Sequence, residues 1–94
     1  MLRHLWYRAK IMAVTLIFPS GSRYSGATAG EALAALAKDQ WTEEARSDIK
    51  RALAWRAFTM SGGKDMSIHE FMSDDEFIDA LSDANILTVE RSEG

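Results

Sequence analysis

Cysteine is absent from the 94-residue chain. The protein therefore forms no disulfide, thiolate zinc site or iron–sulfur cluster, and it has no cysteine nucleophile. Because small secreted domains often depend on disulfides, we expect a cytoplasmic location. Proline occurs once and glycine six times, which leaves little sequence for a flexible linker.

Long apolar runs are also missing. No segment approaches the ~20 apolar residues that a membrane-spanning helix requires. Residues 1–11 contain three basic side chains among their apolar ones, so they lack the uninterrupted apolar core of a signal peptide. We expect neither a transmembrane segment nor a signal peptide.

The composition is that of a globular domain, with 47% hydrophobic and 27% charged residues. We divide the chain into a basic N-terminal arm, residues 1–11, and a single α+β domain, residues 12–94. The arm holds three of the eleven basic residues and none of the fourteen acidic ones, so residues 12–94 carry a formal charge of −6. An acidic domain disfavours direct contact with nucleic acid, because such binding relies on phosphate neutralisation.

The arm has amphipathic character, since Leu2, Leu5, Trp6 and Ala9 share one helical face. One interpretation is a self-association arm, or a surface helix for an anionic partner. The other is an unstructured leader before an alternative start at Met12. A homo-oligomer formed through residues 1–11 remains open.

A β-hairpin opens the domain. Residues 13–18 are β-branched and aromatic, with Val14, Leu16 and Phe18 on one face, which predicts a strand. Pro19 and Gly21 supply turn chemistry, and residues 22–26 return as a shorter strand. We expect a glycine bulge at the turn.

Helices follow the hairpin. Thr28 and Glu31 match a capping box, which predicts a helix to about Lys38. Thr42 caps a second, longer helix, which two glycines end at positions 62 and 63. Ser73 and the acidic residues after it form a further capping box that opens a short helix.

Residues 86–90 form a last strand, with the final four residues frayed. It has only the hairpin to pair with, so we place it beside the first strand and parallel to it. The predicted fold class is α+β in the order ββαα(α)β. The hairpin plus the C-terminal strand forms a three-stranded mixed sheet, with helices packed on one face.

The segment from Val14 to Ala37 resembles the opening of a TGS domain, and the strand order resembles the ubiquitin-like β-grasp superfold. This covers about a quarter of the chain. Residues after Trp41 depart from the family, because a long helix replaces its middle strands. The resemblance implies a module that binds partners, although a fold alone does not determine function.

The chain also resembles, in style, the small accessory proteins of actinobacterial phages. The features are helices rich in alanine, glutamate and aspartate, tryptophans after acidic turns, and the terminal strand that begins at Ile86. This resemblance implies a phage-encoded protein that acts in the host cytoplasm on a host or phage protein.

Residues for catalysis or metal binding are sparse. Of the two histidines, His69 lies near Glu70 and the acidic run at 74–76, a pattern more typical of a helix N-terminus than of a zinc site. The hairpin serines form neither a nucleophile elbow nor a phosphate-binding loop. We predict no enzymatic activity, catalytic residue, metal or cofactor.

Aromatic residues are plentiful by comparison, since three tryptophans occur in this short chain. Tryptophan is enriched at interface hot spots. The leading hypothesis is a non-enzymatic module that binds a protein partner, through apolar surface around Trp55 and Phe58 or through the acidic segment 65–90. The alternatives are a self-associating assembly or virion component, and an acidic nucleic-acid mimic. The candidate binding residues are Trp6, Trp41, Trp55, Phe58, Asp74, Asp75 and Glu76.

Overall fold

Three strands and four helices make up the part of the chain that the computed structural model describes, residues 12–64 and 66–93. The predicted arm, with Trp6, lies outside these residues. The elements in chain order are β1 (Met12–Ile17), β2 (Arg23–Gly26), α1 (Ala29–Lys38), α2 (Glu43–Ser47), α3 (Ile49–Met60), α4 (Asp74–Asp83) and β3 (Thr88–Glu93). The α+β class and the approximate element order are confirmed.

The hairpin forms as the alternation in the sequence predicts. Val14 and Leu16 are buried beneath the helices, whereas the side chain of Thr15 points to the opposite face. At the turn, the Gly21 amide donates to the Phe18 carbonyl at 2.8 Å, and the Phe18 amide donates to the Ser22 carbonyl at 2.9 Å. Gly21 has φ +97°, the left-handed conformation expected of a glycine bulge.

The orientation of the last strand corrects the sequence prediction. β3 does lie beside β1, in the order β2-β1-β3, but it runs antiparallel, so the sheet is antiparallel throughout and not mixed. It begins at Thr88 opposite Ile17 and continues to Glu93 opposite Met12. Of the four residues predicted to fray, Arg91, Ser92 and Glu93 therefore belong to the strand, and Gly94 lies outside the described residues.

The course of α4 explains this orientation. Asp74, at its start, approaches Gly30 at the beginning of α1, beyond the end of β2. Its last turn lies beside the hairpin turn, where Ser82 and Asn85 line a shallow groove with Phe18. Asn85 has φ 62° and reverses the chain. β3 therefore starts at the hairpin end of the sheet and must run against β1.

The predicted long second helix is two helices. Asp48 interrupts it with φ −143° and ψ 73°. Its carboxylate accepts a hydrogen bond from the Arg51 amide at 3.3 Å and so caps α3. Aspartate competes with helical backbone in this way, which is why it favours caps over helix interiors.

The helix starts are otherwise as predicted. Thr28 and Thr42 cap α1 and α2, and the Ser73–Glu76 capping box opens α4. Helices α1 and α4 pack on one face of the sheet, with Phe77 fully enclosed. Helix α3 packs against α1 and buries Leu53 and Ala57 in the same core. The core is completed by Ile68, Ile86 and Leu87 from the connecting segments. No helix in the described ranges is long and apolar enough to cross a bilayer.

Candidate functional site

An apolar groove lies between α3 and the segment 66–71. We call it the aromatic groove and define it by Trp55, Phe58, Met66, Ile68 and Phe71. Its volume is about 520 Å³.

The groove arises because α3 carries apolar residues on two faces. Leu53 and Ala57, four residues apart, are buried in the core. Trp55 and Phe58 fall outside that stripe, and their rings pack together with centroids 5.6 Å apart. The Thr59 hydroxyl donates to the Trp55 carbonyl at 2.5 Å. The aromatic pair forms one wall of the groove on helix α3.

Two glycines bring the second wall into place. Gly62 and Gly63 both have φ +79°, which a residue with a side chain rarely adopts. The Gly63 amide donates to the Phe58 carbonyl at 2.9 Å, so the chain reverses tightly at the end of α3. The following segment then returns along the helix, with Ile68 buried at the groove floor.

The walls are exposed to an unusual degree for large apolar side chains. Trp55 is 66% exposed, Met66 75% and Phe71 86%. Single exposed apolar residues are common on proteins, but contiguous exposed patches mark interaction sites. These three side chains line one groove, which makes the groove the principal candidate site.

Polar groups border the groove on one side. The Arg51 guanidinium lies 3.9 Å from the Glu70 carboxylate across the rim. Such an exposed pair contributes at most about 1 kcal/mol. It leaves the rim close to neutral, so the groove offers mainly apolar contacts.

An acidic concavity adjoins the groove. It shares His69 and Phe71 with the groove and is lined by Glu76, Asp79 and Asp83, which we call the acidic face of α4. Helix α4 contains five acidic residues and no lysine or arginine. Phe71 thus stands between an apolar surface and a negatively charged one.

Arg91 partly neutralises this helix from β3. Its guanidinium donates to Asp79 at 3.0 Å and to Asp75 at 3.4 Å. The hydrogen bond to Asp79, together with the one to Asp75, raises the pKa of Arg91 above its ordinary value. Arg91 therefore stays charged and ties β3 to α4.

The predicted acidic residues have structural contacts. Asp74 pairs with the Lys50 ammonium at 3.1 Å, and its carboxylate lies against Gly30 of α1. Asp75 pairs with Arg91, and Glu76 completes the capping box of α4. These contacts hold α4 to its neighbours.

The predicted aromatic residues separate into two places. Trp55 and Phe58 lie together in the aromatic groove, where they form the continuous apolar surface that the sequence predicts. Trp41 is 96% exposed in the connection between α1 and α2 and does not line the groove. Trp6 lies outside the described residues.

Sequence reasoning missed Met66, Ile68 and Phe71. They lie in a segment without helix or strand, so no periodicity marks them. The available signal was four large apolar residues, these three and Met72, in a short connection after two glycines. Loop segments with that composition must either enter the core, as Ile68 does, or remain exposed, as Phe71 does.

Ligand chemistry is weak elsewhere in the described residues. They contain no group of three histidine or acidic side chains that could hold a metal ion. A cleft between α1 and α3 is lined by Lys38, Arg46 and Lys50. However, Lys50 binds Asp74 and the Met72 carbonyl, and Arg46 donates to the Gln40 carbonyl at 2.8 Å. These contacts occupy two of its three cations.

Comparison of the chain with protein-family models, with curated proteins and with solved structures finds no match.

Proposed function

We propose that this chain is a non-enzymatic protein-interaction module. It binds a partner segment that combines large apolar side chains with positive charge. The observation that carries the proposal is the position of Phe71, which lines both the aromatic groove and the acidic concavity. A segment seated there meets an apolar surface and a row of carboxylates together.

The apolar contacts supply most of the affinity. Trp55 and Phe71 are exposed, so covering them removes apolar surface from water, worth roughly 25 cal/mol per Å². Truncation of a hot-spot side chain near the centre of an interface costs about 2 kcal/mol or more of binding free energy, and tryptophan is enriched among such residues. The carboxylates of α4 contribute selectivity and faster association, since complementary charge steers encounter.

The cellular setting belongs to the same proposal. The stylistic resemblance to phage accessory proteins supports a role in a host cytoplasm, with a host or phage protein as the partner. The nucleic-acid mimic receives less support, because the acidic face of α4 adjoins the exposed apolar side chain of Phe71, which has no counterpart on a phosphate backbone.

Selection from a displayed peptide library tests this function and requires no candidate partner. Peptides selected on the full chain should be enriched in aromatic or aliphatic residues together with lysine and arginine. Their affinity should fall about 30-fold in Trp55→Ala and in Phe71→Ala, the equivalent of about 2 kcal/mol. Added salt should weaken binding as well.

Trp41→Ala is the matched control, because Trp41 is as exposed as the groove residues but lies outside the groove. It should leave peptide affinity unchanged. The proposal fails if the selected peptides lose as much affinity in Trp41→Ala as in the groove variants, or if no sequence preference emerges.

A further inference from the structure

We propose that residues 1–11 of the same chain fold back and cover the aromatic groove, so that an external segment must displace them. This inference rests on the proposed function of the groove. It gives the groove a resident competitor.

The arm has the chemistry that the groove selects. Leu2, Leu5, Trp6 and Ala9 share one helical face. The arm also carries three basic residues and no acidic ones. It therefore offers apolar anchors to the groove and positive charge to the acidic face of α4.

The arm begins on the appropriate side of the molecule. Met12 pairs with Glu93 and Val14 pairs with Arg91, so the start of β1 lies beside the end of β3. Arg91 in turn contacts Asp75, which is four residues from Phe71. Arg91 also contacts Asp79, which lines the acidic concavity together with Phe71. Phe71 thus lies on the side of the groove that is nearer to the start of β1.

The length of the arm is sufficient for this path. Eleven residues span at most about 36 Å when extended and about 17 Å as a helix. The arm is therefore long enough to pass Asp75 and place Leu5 or Trp6 against Phe71.

Tethering favours the arm of the same chain over that of a second copy. A short tether within one chain gives an effective concentration in the millimolar range. A second copy at micromolar concentration competes at a disadvantage of about a thousandfold. Occupancy within one chain therefore dominates unless the geometry forbids it.

Disulfide trapping in the full chain tests the contact directly, and the absence of native cysteine removes any background. The test variant is Leu5→Cys with Met66→Cys, at the exposed groove wall. The control is Leu5→Cys with Ser25→Cys. Ser25 pairs with Thr15, three residues from Met12, and is exposed on the sheet face opposite the buried side chains.

The groove pair should form an intramolecular disulfide at least tenfold faster than the control pair under mild oxidation. Equal rates, or no intramolecular disulfide at Met66, overturn the proposal. A disulfide-linked dimer at Met66 also overturns it, since the occupant would then be the arm of a second copy. Apart from Leu5 in the arm, the variants alter only Met66 and Ser25, which are both exposed. Circular dichroism verifies that both variants are folded.

Peptide affinity separates this inference from the proposed function. A peptide selected on the groove should bind the double variant Leu5→Ala, Trp6→Ala about tenfold more tightly than the unaltered chain. Equal affinity for both overturns the arm contact and leaves the proposed function standing. If no selected peptide loses affinity in Trp55→Ala or Phe71→Ala, the proposed function is overturned instead.

Discussion

Replacing Gly26 by alanine should destabilise the fold severely. Gly26 ends β2 opposite Val14, where the strand passes under the first turn of α1. A Cβ atom at this position would lie 2.5 Å from the Glu31 Cβ and 2.6 Å from the Ala32 backbone nitrogen. Ordinary contacts of a Cβ atom are 3.4–4 Å. The strand and helix must therefore separate by about 1 Å.

The magnitude follows from what that separation disturbs. The atoms in the way belong mainly to helix backbone, so no side-chain rotation relieves the clash. Moving α1 outward loosens Ala32 and Leu33, which are buried in the core. Overpacking typically costs 1–3 kcal/mol, and we expect the upper end. For a domain of this size a 3 kcal/mol loss lowers the Tm by roughly 12–24 °C.

Gly30→Ala is the matched control, because Gly30 lies in the first turn of α1, the turn that Gly26 contacts. Its added Cβ would meet Asp74 Oδ2 at 2.8 Å, the tip of a side chain that can move. Alanine gains about 1 kcal/mol of helix propensity over glycine. Weakening the Lys50–Asp74 pair offsets up to about 1 kcal/mol of that. Gly30→Ala should therefore change stability by less than about 1 kcal/mol.

Urea unfolding followed by circular dichroism measures both variants against the unaltered protein. Gly26→Ala should shift the midpoint strongly and Gly30→Ala only slightly. If Gly26→Ala unfolds within about 0.5 kcal/mol of the unaltered protein, strand β2 does not lie this close to α1, and the reasoning is refuted.

Three further changes test other contacts. Phe77→Ala should cost about 3–5 kcal/mol in urea unfolding, because the ring is fully buried; a loss below 1 kcal/mol would contradict the packing. Ser73→Ala should lower stability by about 1 kcal/mol through loss of the α4 capping box, whereas Ser73→Asp should restore it. The hydrogen bond to Asp39 raises the pKa of Tyr24 above 10.0, so its stabilisation is complete below that pH and is lost as pH rises through the raised pKa. In an ultraviolet titration Asp39→Asn should lower the ionisation midpoint of Tyr24. An unchanged midpoint would show that Asp39 does not accept a hydrogen bond from Tyr24.

Local features of the fold were predictable from sequence. The alternation around Val14 and Leu16 and the turn residues Pro19 and Gly21 act over a few positions, so the hairpin could be derived. The capping residues act over three positions, and they placed the starts of α1, α2 and α4.

Non-local features were not predictable in the same way. The direction of β3 depends on where α4 ends in space, which no short pattern encodes. The break at Asp48 has a local signal, because aspartate favours an N-cap over a helix interior. Whether the helix breaks there nevertheless depends on tertiary packing.

In the candidate site, too, some residues follow from local sequence patterns and others do not. Trp55 and Phe58 lie on a helix, where spacing shows that they miss the core stripe. Met66 and Phe71 lie in an irregular segment, and only the reversal at Gly62 and Gly63 brings them opposite α3. The acidic residues at 74–76 were identified, but their partners Lys50 and Arg91 are far away in sequence.

The antiparallel pairing of β1 with β3 also determines how the domain responds to tension. Because Met12 lies opposite Glu93, the two ends of the described chain leave the sheet side by side. Force applied between Met12 and Glu93 loads the hydrogen bonds between β1 and β3 one after another, starting at that end, and separates β3 from β1 in an unzipping geometry. Parallel strands at the same position would share the load in shear. The domain should therefore yield at low force when it is stretched between Met12 and Glu93, although core residues such as Phe77 are fully buried.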